Sequence, residues 1–193
     1  ALVVVGDTLG LYKTLATHPQ GLTSTELARE TDTAERNVRE WLASQTVGEY
    51  VIHDPETDRY SMSDEAAFAL ADPNGPDLAG RFYVASSVHR SEEKVTEAFK
   101  TGKGVGWGEH DPMMFCGVER FFRPGYAANL VQAWIPALEG VEEKLLRGAT
   151  VADVGCGHGI TTIIMGQAVP TSSFVGFDIH APSVDRANRL AAE

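Results

Sequence analysis

At the start of the chain, apolar side chains recur at helical spacing. Residues 1–17 are apolar at most positions, which predicts one helix that is buried on most sides or contributes to a dimer interface. Thr23 is followed three residues later by Glu26, and this capping-box pattern predicts a second helix from about Ser24 to Glu30. The chain is therefore expected to begin with two helices joined by a short loop.

The segment that follows changes from helical spacing to strand-like runs. Asp32 or Thr33 is expected to cap a third helix. The apolar face of that helix is predicted to comprise Val38, Trp41 and Leu42, with Ala34 as a further candidate. Residues 49–53 and 59–62 then predict two strands joined by a turn at Asp54-Pro55. Three helices followed by a hairpin are typical of a winged-helix domain, in which the second and third helices form a helix-turn-helix.

Beyond the hairpin, helical patterns alternate with loops. The predicted helices are 64–71, 79–100 and those within 117–147. Pro136 is expected to begin the last of them, because proline suits the first turn of a helix. Residues 72–77 (DPNGPD) predict a loop and a domain boundary near residue 75, and the glycine-rich stretch 101–115 is expected to be irregular.

The C-terminal part of the chain has a different pattern. Two short apolar runs, ATVADVG and SSFVGFDI, are each followed by a helical pattern, and Pro182 lies near the start of the final helix. This β-α-β-α order is the opening of a doubly wound parallel sheet. We therefore predict a mainly α protein with a winged-helix or dimerisation domain (1–75), a helical connector (76–147) and the truncated start of a Rossmann-like α/β domain (148–193).

Composition restricts the classes of partner and compartment. The 193 residues carry a formal net charge of −11, which repels phosphate backbones and makes nucleic acid a poor default partner. Cys116 and Cys156 form no CxxC pair, so a reducing cytoplasm is the expected compartment. Asp7 and Lys13 interrupt the apolar start too early for a membrane span. Because the chain begins with Ala1, we expect further residues upstream.

The predicted helix-turn-helix raises the alternative of a DNA-binding protein. Residues 1–65 contain five basic and twelve acidic side chains. The candidate recognition helix carries both signs of charge, at Glu35, Arg36, Arg39 and Glu40. DNA binding normally requires a basic stripe, so a role in dimerisation or as a substrate lid is favoured. A winged-helix transcription regulator with a Rossmann-like ligand-sensing part stays as the alternative.

The most informative stretch is VADVGCGHGI, which predicts a strand, a glycine-rich turn and the start of a helix. Dinucleotide-binding loops need a small third residue at position 160, and that position is Ile160. The spacing here is G-x-G-x-G, with Asp153 two residues before the first glycine. The second strand ends at Asp178, where an acid in doubly wound nucleoside binders accepts hydrogen bonds from ribose hydroxyls.

This combination resembles motif I of the class I S-adenosylmethionine-dependent methyltransferases. The preceding segment, FFRPGYAANLVQAWIPALEG, is similar to the one that leads into motif I in bacterial small-molecule methyltransferases with an N-terminal winged-helix dimerisation domain. The resemblance implies S-adenosylmethionine as the cofactor, a small-molecule methyl acceptor and a homodimer formed through the N-terminal domain. The residues that it places at the cofactor are Asp153, Gly155, Cys156, Gly157, Gly159, Asp178, Ile179, Tyr126 and Phe122.

The resemblance also implies a role for each of these residues. The three glycines would line the methionine and ribose side, and Asp153 would anchor the loop near the methionine amine. Asp178 would bind the ribose hydroxyls, and Ile179 would pack on the adenine. Tyr126 and Phe122 would close over the cofactor. Residues near the acceptor are expected beyond the glycine loop, outside this sequence, so no catalytic residue is assigned.

Other clusters in the sequence carry weaker signals. TGKGVGWG lacks the Lys-Ser or Lys-Thr of a P-loop, so it predicts either a mobile loop or one side of a substrate pocket between the domains. The side chains expected at such a pocket are Trp107, His110 and Met113 or Met114. No metal site is predicted, because consecutive residues such as Glu109-His110-Asp111 do not point at one ion. His158 and His180 are candidates for positions near the cofactor, but loop histidines more commonly face solvent, and no catalytic role is assigned to either.

The length of the β-α-β-α segment affects what the chain is expected to do. A doubly wound domain typically needs on the order of 100 residues or more, and residues 148–193 are fewer than that. We therefore expect a fragment that lacks methyltransferase activity and binds S-adenosylmethionine weakly or not at all. A chain that serves only as a dimerisation fragment is a third reading.

Overall fold

The structure, a computed structural model, describes all residues from Ala1 to Glu193. It separates into two compact units, Ala1–Phe82 and Tyr83–Glu193, and the division falls within the helix Ala79–Arg90. Most of the chain is helical, and the strands form two separate two-stranded sheets. The mainly α prediction is therefore confirmed. The domain boundaries near residues 75 and 147 stay predictions.

The first unit contains the helices and the hairpin expected of a winged-helix domain. Its helices are α1 (Leu2–Thr8), α2 (Leu11–Ala16), α3 (Ser24–Glu30), α4 (Glu35–Val47) and α5 (Asp64–Leu70). Its strands are β1 (Ile52–Asp54) and β2 (Arg59–Ser61), which pair antiparallel with His53 opposite Tyr60. The strands are shorter than predicted, and their turn is held by Asp54, whose carboxylate accepts hydrogen bonds from Glu56 N (3.0 Å) and Thr57 Oγ1 (2.6 Å).

The prediction of one helix over residues 1–17 is wrong, because the segment forms two helices. Gly10 lies between them with φ of 72°, a left-handed conformation that interrupts helical hydrogen bonding and that glycine adopts at little cost. The break lets Leu11 and Leu15 of α2 enter the core, where each is only 1% exposed. Apolar content alone could not reveal it, because both helices are rich in apolar residues.

The two predicted helix caps have different outcomes. The Thr23–Glu26 capping box is confirmed, since Glu26 N donates to Thr23 Oγ1 (3.2 Å) and Thr23 N donates to Glu26 Oε2 (2.9 Å). The predicted cap of α4 at Asp32 or Thr33 is wrong. Its N-cap is Ala34, without a side-chain hydrogen bond, because the Thr33 hydroxyl is hydrogen-bonded to that of Thr31 (2.8 Å).

The core of the first unit forms where α4 packs against α1, α2 and α3. The predicted face of α4 is confirmed for Val38, Trp41 and Leu42, which are buried, whereas Ala34 is exposed. The Trp41 indole N–H donates to the Leu2 carbonyl oxygen (2.9 Å), which ties α4 to the start of α1. The buried Tyr12 hydroxyl donates to Gln45 Oε1 (2.5 Å), so both polar groups are satisfied inside the core.

The second unit begins within α6 (Ala79–Arg90) and ends with a β-α-β-α segment. Its remaining elements are α7 (Glu92–Thr101), a 3₁₀-helix (Trp107–Glu109), α8 (Met113–Asn129), a π-helix (Leu130–Trp134), α9 (Val141–Leu146), β3 (Thr150–Val154), α10 (Ile160–Ala168), β4 (Ser173–Phe177) and α11 (Ala181–Ala192). Strands β3 and β4 are parallel, with Val151 opposite Phe174, and α10 connects them. The predicted order of strands and helices is present, and Pro182 lies in the first turn of α11.

Three helix boundaries in this unit differ from the prediction. Helix α8 begins at Met113, inside the stretch 101–115 that was expected to be irregular. The helical stretch 79–100 is divided between α6 and α7 at Ser91. Pro136 does not begin the last helix before β3, because α9 starts at Val141 after Gly140, whose φ is 71°. Pro136 instead follows the π-helix, next to Ile135, which is buried with Leu145 and Val169 in a small core. No helix of the structure combines the length and the apolar character needed to cross a membrane.

Candidate functional site

The glycine loop between β3 and α10 is built from three left-handed glycines. Gly155, Gly157 and Gly159 have φ values of 80°, 53° and 75°, a region that residues with side chains rarely adopt. A Cβ atom at Gly155 or Gly157 would meet no atom within 4 Å, whereas one at Gly159 would lie 2.8 Å from Cβ of Ala187. The first two glycines therefore leave the backbone open to a ligand, and the third permits α10 to pack against α11.

Asp153, at the end of β3, binds the first turn of α10. Its Oδ2 accepts hydrogen bonds from the hydroxyls of Thr161 and Thr162, both at 2.6 Å. The N-cap residue of α10 is Gly159, which has no side chain to cap the helix. The two bonds from Asp153 instead connect the helix to the strand. The acid of the motif thus connects the end of β3 to the start of α10 across the loop.

Asp178, directly after β4, binds the glycine loop from the other side. Its Oδ2 accepts a hydrogen bond from Gly157 N (2.8 Å), and its Oδ1 accepts one from His180 N (2.8 Å). Each carboxylate oxygen has two acceptor positions, so both oxygens can accept a further hydrogen bond from a ligand hydroxyl. The loop is also held by Gly155 N, which donates to the Phe177 carbonyl oxygen (2.7 Å).

A cavity of about 870 Å³ lies over this loop, within the range of small-molecule sites. It is lined by residues of the second unit alone. The predicted site residues on its wall are Asp153, Gly155, Cys156, Gly157, Asp178, Ile179, Tyr126 and Phe122. Gly159 is buried and does not reach the wall. Of the residues expected at a substrate pocket only Trp107 lines the cavity, while His110, Met113 and Met114 do not.

One face of α8 forms the opposite wall. Its lining residues are Phe115, Val118, Glu119, Phe122 and Tyr126, which share one helical stripe at spacings of three or four. Phe115 stacks on His180, with ring centroids 4.0 Å apart, and Trp107 meets the Phe115 ring edge-on at 5.4 Å. The sequence-based prediction included only Phe122 and Tyr126 of this stripe, although the spacing of its residues could have indicated all five.

A buried hydrogen bond between a carboxylate and an imidazole joins this stripe to the glycine loop. His158 Nδ1 lies 2.8 Å from Glu119 Oε2, and the two side chains are only 13% and 11% exposed. Arg123, one turn further along α8, donates from Nε to Glu119 Oε1 (3.0 Å). Burial by itself would raise the pKa of the Glu119 carboxyl, but the hydrogen bonds from His158 and Arg123 outweigh it and lower the pKa to about 2.

The Glu119–His158 pair corrects the expectation for His158. The sequence suggested an ordinary loop histidine facing solvent, and the structure places it against a carboxylate from a helix 39 residues away in the chain. Cys156, in the same loop, is half-buried. Burial, with the nearby carboxylates of Asp153 and Asp178, raises the pKa of its thiol, which disfavours the nucleophilic thiolate.

Comparison with known protein families supports the reading of the N-terminal region. Residues 1–72 match the family model described as the Rv2258c-like winged helix-turn-helix domain. This match confirms the predicted winged-helix domain. A comparison with curated protein sequences finds no significant match.

Comparison with solved structures extends the likeness to the whole chain. A candidate O-methyltransferase from Nostoc punctiforme PCC 73102 superposes with a TM-score of 0.68 at 17% identity, over 100% of this chain and 56% of that one. The mitomycin 7-O-methyltransferase MmcR gives 0.66 at 21% identity, over 99% of this chain and 57% of that one.

A third similar structure carries ligands. It is the O-methyltransferase NcsB1 from neocarzinostatin biosynthesis, solved with S-adenosylmethionine and 2-hydroxy-5-methyl naphthoic acid. Its TM-score is 0.59 at 17% identity, over 98% of this chain and 59% of that one. At these identities the likeness shows the fold, and this chain spans a little more than half the length of each of the three. The predicted resemblance to winged-helix-containing methyltransferases is thus confirmed for the fold.

Proposed function

We propose that this chain serves S-adenosylmethionine-dependent methyl transfer to a small-molecule acceptor. The observation that carries the proposal is the shared cavity of the G-x-G-x-G loop and Asp178, with Ile160 where a dinucleotide-binding loop needs a small residue. The fold shared with solved O-methyltransferases supports the same reaction class.

The residues on the cavity wall fit this cofactor chemically. S-adenosylmethionine carries positive charge on its sulfonium and its amine, and three carboxylates, Glu119, Asp153 and Asp178, line the cavity. The open acceptor positions of Asp178 suit two ribose hydroxyls. Ile179 would contact the adenine, and Phe122 and Tyr126 would cover the cofactor from α8.

When bound, the sulfonium supplies an electrophilic methyl group. The chain's own contribution is to orient the donor and to exclude water, since proximity and orientation supply much of the rate of a group transfer. Asp153 connects β3 to the first turn of α10, and Asp178 binds Gly157 in the middle of the loop, so the cofactor would meet a preorganised backbone. The aromatic stripe of α8 provides an apolar wall that keeps water from the cofactor.

We expect the 193-residue chain to bind this cofactor weakly and to lack methyltransferase activity by itself. Ile179, the residue proposed for the adenine, is 93% exposed, and Val154 at the end of β3 is 83% exposed. Little protein surface surrounds these side chains, so a ligand in contact with them would itself stay largely exposed to water and gain little affinity from apolar burial. Micromolar affinity measured by calorimetry on this chain would contradict the expectation.

The same proposal includes a homodimer formed through the first unit. Helix α1 exposes Leu2, Val5 and Leu9, at spacings of three and four residues, by 43%, 41% and 45%. Such a stripe on a helix that buries its other face in the core is typical of an association surface. A second copy of the chain would cover it.

The winged-helix regulator is not favoured by the charges of α4. Arg36 forms an ion pair with Glu40, and Arg39 forms one with Glu35 (2.7 Å), each within the same helix. These pairs leave no basic stripe of the kind that contacts DNA phosphates.

Substitution of Asp178 tests the cofactor proposal. In the Asp178→Asn variant one of the two carboxylate oxygens becomes an amide donor, so the affinity for S-adenosylhomocysteine should fall about tenfold or more, since a hydrogen bond to a charged group contributes about 1.5–3 kcal/mol. The matched control is Asp185→Asn, an exposed position on α11 outside the cavity wall. Ligand titration followed by NMR measures both. Equal affinities for the two variants would overturn the role of Asp178.

A further inference from the structure

The charges on the cavity wall are strongly unbalanced. Three carboxylates line it, and no lysine or arginine does. His158 is the only lining side chain that can carry a positive charge. A zwitterionic amino-acid group on a ligand has a carboxylate as well as an amine, and burying a carboxylate without a partner is costly. The wall therefore offers one place for such a carboxylate.

The hydrogen bond to Glu119 determines which nitrogen of His158 is available. A carboxylate whose pKa is about 2 is ionised at neutral pH and only accepts hydrogen bonds, so Nδ1 carries a proton and donates to it. Nε2 has no partner in the chain. Because no unpartnered side-chain nitrogen or oxygen is fully buried, Nε2 keeps some exposure, and the His158 side chain lines the cavity.

Contacts along α8 show that His158 and Ile179 lie at different positions along the cavity. Phe115 contacts His180, beside Ile179, and Glu119 contacts His158. Four residues of α-helix advance about 6 Å along the axis. His158 is thus displaced along α8 from the position proposed for the adenine, on the side where the glycine loop would line the methionine moiety. Arg123 binds Glu119 from outside the cavity wall and does not compete for this place.

We propose that Nε2–H of His158 binds the α-carboxylate of the methionine moiety, and that Glu119 is the positioning residue that orients the imidazole. The inference rests on the proposed cofactor and adds the residue that recognises its amino-acid end. In this arrangement Glu119 holds Nδ1–H, and the imidazolium form would present Nε2–H to the carboxylate as a charge-assisted donor.

The test compares two ligands that differ by one carboxylate. S-adenosylhomocysteine carries it, and 5′-(3-aminopropylthio)adenosine keeps the adenosine, the sulfur and the amine but lacks it. The wild-type chain should bind the first about five-fold or more tightly than the second, as expected for one charge-assisted hydrogen bond. In His158→Asn the amide can still donate to Glu119 from the Nδ1 position while Nε2 is lost, so the two affinities should come within about two-fold.

His53→Asn is the matched control. The His53 imidazole also contacts a carboxylate, that of Asp58 (3.0 Å), but it lies on the hairpin of the first unit. This variant should retain the wild-type preference. A His158→Asn variant that keeps the full preference, or that weakens both ligands equally, would overturn the proposal. If the wild type binds neither ligand, the proposed cofactor itself fails.

Discussion

Single residues of the glycine loop have separate tasks, although they share one sequence motif. Gly155 and Gly157 leave space above the backbone, and Gly159 allows α10 to approach Ala187 of α11. Asp153 is hydrogen-bonded to the helix that follows the loop, and Asp178 is hydrogen-bonded to the middle of the loop at Gly157. The motif therefore encodes both an open surface and the bonds that keep that surface in place.

Titration of Glu119 should be visible in the stability of the protein. Because the pKa of this carboxyl is lowered to about 2 in the folded state, its ion pairs stabilise the fold above the unfolded pKa of 4.5. That stability should be lost as the pH falls from about 4.5 towards 2. The thermal midpoint of Glu119→Gln should lie below that of the wild type at pH 7, and the difference should shrink below about pH 4.

Thermal unfolding followed by circular dichroism between pH 3 and pH 7 measures this effect. Glu139→Gln, at an exposed position between the π-helix and α9, serves as the control and should follow the wild type throughout. A constant difference between wild type and Glu119→Gln across this range would contradict a stabilising buried pair.

Two glycines should respond in opposite ways to substitution by alanine, because only one of them lies in tight contact with a buried side chain. A Cβ atom at Gly6 would lie 2.3 Å from Cζ2 of the buried Trp41, so Gly6→Ala should destabilise the protein by about 1–3 kcal/mol. Gly125 lies within α8, and a Cβ there meets no atom within 4 Å. Gly125→Ala should therefore be neutral or stabilise the protein by up to about 1 kcal/mol. Chemical denaturation compares the two, and a Gly6→Ala variant as stable as Gly125→Ala would show that Trp41 can move.

The sequence predicted much of the candidate site, but not its buried hydrogen bond between a carboxylate and an imidazole. Loop spacing and the acids after each strand are local patterns, and eight of the nine predicted residues line the cavity. The pairing of Glu119 with His158 depends on how α8 packs over the loop, which no local pattern records. A shift in the pKa of a carboxyl group can be predicted only when the groups that contact it are known.

For the helices and strands, prediction and structure agreed best where a side chain hydrogen-bonds to the backbone at the end of an element. The Thr23–Glu26 box starts α3 as predicted, and Asp54 closes the hairpin turn. Prediction and structure disagreed where tertiary packing determines the position of a helix boundary. Gly10 divides the first helix, and α9 begins after Gly140 and not at Pro136. A glycine in a helical pattern is compatible with a continuous helix or with a helix break. The buried contacts of the residues that follow it determine which of the two forms.

Helix α1 carries the prediction for association. Val5→Asp places a charge at the centre of the exposed apolar stripe, and desolvating that charge in an interface is costly, so the variant should be monomeric where the wild type is dimeric. Val47→Asp is the control, since Val47 is 87% exposed at the end of α4. Multi-angle light scattering determines the masses. A wild-type monomer at high concentration, or a Val5→Asp dimer, would contradict an interface at α1.

Taken as a whole, the molecule combines a winged-helix unit with a second unit that carries the cavity. The first unit has a complete apolar core and paired charges on α4, which suits association and not DNA recognition. The second unit has a small core and exposes Val154, Phe177 and Ile179 beside the cavity. Apolar burial is thus concentrated in the first unit, and the proposed cofactor site lies in the second.

The central claim is that the glycine loop and Asp178 bind S-adenosylmethionine and not a dinucleotide. The most direct measurement is an NMR titration of the isotope-labelled chain with S-adenosylhomocysteine and, separately, with NAD. We predict saturable shifts of the Gly155, Gly157 and Asp178 amides with S-adenosylhomocysteine, at concentrations above the micromolar range, and none with NAD. Shifts of the same amides by NAD at lower concentrations, or no response to S-adenosylhomocysteine at millimolar concentration, would contradict the account.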